Sequence, residues 1–185
     1  MKFKYTPLIF SFFLLFCSSN EPVYPKSELS TKLFGKTIPA HPRLLFSEEE
    51  EMLVKQLSKT DPLLNNLLQL LKSQADELLY APTITPPNNL NNSREHVHCI
   101  ITLSVAYRMF DEDKYARGVE KLLINICLYP GRNPDHYLDV AETTTAVAIG
   151  YDWLYNFLSG DTKILIEEAI VEKALNLSIP EYERL

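Results

Sequence analysis

From Glu48 to Pro180 apolar residues recur every three or four positions, in runs separated by residues that start and stop helices. Ser47-Glu48-Glu49-Glu50 is a capping box that opens a short helix to about Ser58. Asp61-Pro62 pairs an N-cap with proline at the first helical position and starts a leucine-rich helix to about Leu79. Pro82, Pro86, Pro87 and the asparagines from Asn88 to Asn92 predict a loop. Ser93 caps a third helix to about Phe110, and Asp111-Glu112-Asp113 turns the chain into a fourth, to about Tyr129. A fifth runs from Leu138 for about five turns. Ser159-Gly160-Asp161 then caps a sixth, which Pro180 ends.

The runs alternate in character. The fourth is plainly amphipathic, with Tyr115, Val119, Leu122, Leu123 and Ile126 opposite Lys114, Arg117, Glu120 and Lys121. The third leaves only a narrow polar strip of Arg94, His98 and Thr102. The fifth has no solvated face. Val140, Val147, Tyr151, Leu154 and Leu158 form one stripe, Ala146, Ile149, Trp153 and Phe157 another, and the rest is small or hydroxylated. Helices apolar nearly all round are covered on several sides. Asp139, Glu142 and Asp152 lie on this one, so each needs a bonding partner on a neighbouring element. Ala106-Tyr107 returns as Gly150-Tyr151 at a spacing of about 44 residues, one helical hairpin per repeat. The expected fold is all-α, built of paired helical hairpins. They form part of an (α/α) toroid or, alternatively, an open helical-repeat solenoid; the small surfaces of the inner helices favour the ring.

The front end changes the picture. Lys2 and Lys4 precede an apolar run from Pro7 to Phe16, too short to span a bilayer, followed by Cys17-Ser18-Ser19. Residues 1–19 read as a signal peptide, residues 20–40 as a proline-containing linker, and 41–185 as the helical domain. Cys17 has two readings, the lipidated cysteine of a lipoprotein or part of a segment cleaved after Ser19. Both export the protein, to the periplasm or to a lipid anchor on the outer membrane. The net charge of −6 argues against a nucleic-acid partner. His96 and His98 point about 200° apart on a helix and cannot share an ion, so no metal site and no cofactor is expected.

Several short motifs carry a resemblance. They are His41-Pro42-Arg43-Leu44-Leu45-Phe46, Ala106-Tyr107-Arg108 with Asp113-Lys114-Tyr115-Ala116, His136-Tyr137-Leu138-Asp139 with Glu142, and Gly150-Tyr151-Asp152-Trp153-Leu154-Tyr155. In this order, over roughly residues 41–180, the chain resembles the N-terminal part of the heparinase II/III-like polysaccharide lyases of bacteria. The resemblance implies an incomplete (α/α) toroid, followed in complete members by β-sandwich domains. It also implies an acidic polysaccharide substrate, cleaved by β-elimination at uronic acids. The family's catalytic Asn or Glu, Tyr and His match positions beyond Leu185, so no catalytic residue is assigned here. The chain is expected to be inactive without that remainder of the toroid.

β-Elimination needs a group that neutralises the uronate carboxylate, a base for the C5 proton and an acid for the leaving oxygen. Arg132, His136 and Tyr137 precede the fifth helix at its positive end, where a carboxylate is welcome, and Trp153 offers a stacking surface for a sugar. The plainer reading is that His136 and Tyr137 cap and pack the helix, and that Trp153 is core. His41-Pro42-Arg43 is expected to anchor the start of the domain, with Arg43 pairing a buried carboxylate. Cys99 and Cys127 lie at nearly equal heights on consecutive antiparallel helices. An exported protein can join such a pair as a disulfide; two free buried thiols are the alternative. A non-catalytic helical module that binds carbohydrate or protein is the competing function.

Overall fold

The computed structural model describes residues 39–80 and 86–183. The expected signal peptide at 1–19, Cys17 and most of the expected 20–40 linker lie outside the described residues. From Ala40 onward the chain packs as one unit. It is all-α, with no strand among the described residues: α1 (Glu48–Leu57), α2 (Pro62–Leu78), α3 (Leu90–Phe110), α4 (Asp113–Leu128), α5 (Tyr137–Trp153), α6 (Gly160–Ile170), a π-helical turn (Val171–Leu175) and α7 (Asn176–Glu183).

The caps follow local chemistry. Ser47 and Glu50 close the capping box of α1 reciprocally, and Asp61 accepts from the amides of Leu63 and Leu64 ahead of Pro62. Three boundaries differ from expectation. Asn89, not Ser93, caps α3: its extended backbone lets the side chain accept from Asn92 N–H at 3.1 Å, while Ser93 is buried in the first turn. Helix α5 stops at Trp153, and turns from Leu154 fold Leu154 and Leu158 back into the core. Pro180 sits inside α7 rather than ending a helix, because the π-helical turn ends the preceding register and α7 starts anew at Asn176.

The helices form two layers. Helices α3 and α5 make the most extensive contact and run in the same direction, since Arg94 meets Glu142 and, further along, Ile100 meets Gly150. Behind them α2, α4 and α6 form the second layer. Leu103, Ala106, Tyr115, Val119, Leu123, Ala146, Val147, Leu154 and Ile166 fill the space between layers, each at most 2% exposed. Burying an aliphatic side chain of this size contributes about 1.5–3 kcal/mol, so this seam is the main source of stability. Close approach requires glycine at one point. A Cβ on Gly150 would stand 2.9 Å from Ile100 Cγ2 and 3.1 Å from Leu123 Cδ2. Two hairpins stacked in parallel, α3–α4 and α5–α6, are the local arrangement shared by toroids and solenoids.

Candidate functional site

The α3–α5 pair has two very different ends. At its C-terminal end lies a strap, residues 40–47, which crosses both helices. Asp152, 2% exposed, accepts from His41 Nδ1 at 2.5 Å and from the backbone amides of Arg43 and Leu44, both at 2.8 Å. The guanidinium of Arg43 adds a long ion pair at 3.9 Å. From α3, Arg108 donates to the carbonyls of Phe46 (2.7 Å) and Ser47 (3.2 Å) and to Glu51 (2.8 Å). Trp153 Nε1 donates to Leu44 O at 2.8 Å. The expectation that His41-Pro42-Arg43 anchors the domain on a buried carboxylate is met, and the carboxylate is Asp152.

This places Trp153 in a structural cluster. It is 9% exposed, with Arg108 5.0 Å over its ring and Phe46 at 6.2 Å, so its faces are taken by protein. A cavity of about 270 Å³ opens beside it, lined by Glu48, Glu51, Met52, Tyr107, Arg108 and Phe157 among others. Arg108 and Glu51 there already bond to each other.

The N-terminal end is open. His136 is the N-cap of α5 but makes no side-chain cap bond. Its ring Nδ1 lies 3.1 Å from Asp139 Oδ1, and the side chain is 56% exposed. Asp139 itself is fully buried and also accepts from Asn133 Nδ2 at 2.6 Å. Tyr137 is half-exposed, with its hydroxyl donating to Ala174 O at 3.4 Å. Arg94 of α3 meets Glu142 of α5 at 3.3 Å. The second oxygen of Glu142 is buried without a hydrogen-bond partner, as is Thr143 Oγ1. Near this end of the helix pair stand the Arg94–Glu142 ion pair with its half-exposed arginine, the exposed His136, and the positive N-terminus of α5. Asn133 and the Arg94–Glu142 pair were not singled out from sequence as site residues; the polar strip of Arg94 and His98 on an otherwise apolar helix was the available signal.

Arg132 is not at this mouth. Its side chain runs inward and is 1% exposed, bonded through Nη1 to Thr144 Oγ1 at 2.9 Å. The proposed disulfide is not formed either. Cys99 and Cys127 are free, buried thiols in different surroundings. Cys127 belongs to the interlayer core beside Arg132 and Lys173. Cys99 lies outside that cluster, with Glu95 the charge acting on it. Equal height along a hairpin does not make two side chains face each other. Burial pushes the Cys99 thiol up to about 11 and that of Cys127 up as well, which keeps both protonated and unreactive.

Among the described residues the tyrosines with a displaced ionisation are shifted away from a basic role. Burial, reinforced by the carboxylate it donates to, raises Tyr151 beside Glu167 and Tyr115 beside Asp76; burial also raises Tyr107. Among the described residues no group of three or more His, Cys, Asp or Glu is placed to hold a metal ion. No protein-family model matches the sequence, and no match was found among curated proteins.

Proposed function

We propose that this chain is the helical N-terminal portion of an exported polysaccharide lyase of the heparinase II/III-like kind. Its part is to hold an acidic polysaccharide at the N-terminal ends of α3 and α5. The observation that carries the reading is the convergence of the motif residues. His41, Arg43 and Phe46, Arg108, and Asp152 with Trp153 come from three distant stretches and meet in one bonded cluster. A set of matches that folds into one unit is better support than the same matches scattered over a surface. At the opposite end, Arg94 and His136 present half-exposed side chains to a uronate carboxylate. These groups provide recognition. Burial holds Tyr107, Tyr115 and Tyr151 protonated, so none of these three serves as the base for the C5 proton.

The test is affinity electrophoresis of the purified chain in gels containing alginate, polygalacturonate, heparan sulfate or neutral dextran. At least one acidic polymer should retard the chain and dextran should not. Arg94→Ala should weaken the retardation several-fold, and no unsaturated uronate should accumulate by ultraviolet absorbance. Unsaturated product from the chain alone, or no retardation by any acidic polymer, rejects the proposal. A protein-binding helical module is the second reading. It is favoured by Met52, Leu53, Leu63, Leu67 and Leu70 on α1 and α2, which stand 53–68% exposed. It requires the Leu67→Lys variant to lose binding to a protein partner while polysaccharide has no effect.

A further inference from the structure

Among the described residues Arg132 is a buried cation with no carboxylate counter-ion. Its Nη1 donates to Thr144, while Nε and Nη2 are sealed from solvent with no oxygen or nitrogen acceptor among the described residues; the one group that faces the guanidinium besides Thr144 is the neutral Cys127 thiol, a weak partner. These two nitrogens form one edge of the guanidinium, with parallel N–H groups at the spacing of two oxygens of a carboxylate or oxyanion. A second cation stands nearby: Lys173, in the π-helical turn, acts with Arg132 on the same Cys127 thiol. Its ammonium donates to the carbonyls of Cys127 and Tyr129, the latter at 2.5 Å. No ion pair with a carboxylate is formed by either cation among the described residues. The C-terminal end of α4 offers them only a partial negative charge. Burying a full charge costs several kcal/mol unless an opposite charge compensates it.

We propose that the Arg132 edge is a binding site for one small anion with two parallel oxygens, a carboxylate or an inorganic oxyanion, held inside the α4–α5 corner. Nε and Nη2 grip the two oxygens, and the field of Lys173 adds to the attraction. The main chain beside the site is at the surface: Gly131 is exposed, with open space where a side chain would be. A small shift of the 129–136 loop therefore admits the ion. The site is separate from the Arg94–Glu142 pair and does not depend on the proposed lyase reading.

Thermal unfolding of the full chain at constant ionic strength, titrated with formate, phosphate or sulfate against chloride, tests this. At least one oxygen anion should raise the midpoint saturably in the millimolar range, and chloride should not. Arg132→Met should abolish the saturable rise and leave only the linear salt effect that any protein shows. Arg132→Lys, which keeps the charge without the fork, should weaken apparent affinity at least tenfold. If Arg132→Met does not fold, the wild-type chain still decides: bound anion should slow thiol labelling of Cys127 and not of Cys99, read on the separate peptides. A wild-type midpoint indifferent to all three oxygen anions, or an equal rise in Arg132→Met, overturns the site.

Discussion

The two ends of the α3–α5 pair carry similar residues in opposite states. At the C-terminal end Arg108 and Asp152, both at most 4% exposed, are saturated by backbone groups of the strap and by His41 and Glu51. At the N-terminal end Arg94 is half-exposed, and Glu142 keeps one oxygen with no partner. A buried polar group with every bond made fixes geometry; one with a bond left over is either a cost or a place for something else. The strap therefore reads as architecture and the mouth as the surface available for function.

The sharpest way to break this contrast is Asp152→Ala. It strips the acceptor from His41 and from two backbone amides, and should lower unfolding free energy by about 3 kcal/mol or more. The urea midpoint should fall with an unchanged m-value; a loss below about 1 kcal/mol would mean that the strap is decoration. Gly150→Ala probes the seam between the ends. The added methyl would meet Ile100 and Leu123 at 2.9 and 3.1 Å. Overpacking of about 1–3 kcal/mol then exceeds the helical gain of about 1 kcal/mol, for a modest net loss in the same denaturation experiment.

At the open end Glu142→Gln should change stability by no more than about 0.5 kcal/mol, because the carboxylate is only half used. If it costs as much as Asp152→Ala, both ends are structural and the distinction collapses. The smallest effect belongs to the outer layer. Bonds from Lys114 to Asp76, and from Lys72 and Lys114 to Glu112, hold the folded-state pKa of both carboxyls below the ordinary carboxylate value and favour their ionised form. Their contribution is present above the ordinary carboxylate range and is lost as pH falls through it and below. Midpoints measured between pH 6 and pH 3 should decline, and replacing Lys114 by Met should flatten the decline slightly. A steeper decline in that variant would contradict the pairing.

Much of the fold was legible because its signals are local. Capping boxes, Asp61-Pro62 and the three-to-four-residue period act over a single turn, so element order and type could be read, and so could the split into all-round apolar and amphipathic helices. The boundaries that slipped are places with competing local choices. Several asparagines and a serine could each cap α3, and a π-helical turn reset the register ahead of Pro180.

The site was less legible. Arg132, His136 and Tyr137 are neighbours in sequence, yet only the last two reach the mouth, because Arg132 turns inward to Thr144. Trp153 could not be told from a sugar platform until Leu44, Phe46 and Arg108 were seen around it. That Asp139, Glu142 and Asp152 all needed partners followed from the sequence, since an apolar helix cannot leave carboxylates dry. Which partner each found did not. Asp152 met a histidine 111 residues away, whereas Glu142 met an arginine on α3 and kept an oxygen spare. Periodicity and caps are set within a few residues of chain, whereas partners are set by how helices approach one another, and only the packed structure fixes that approach.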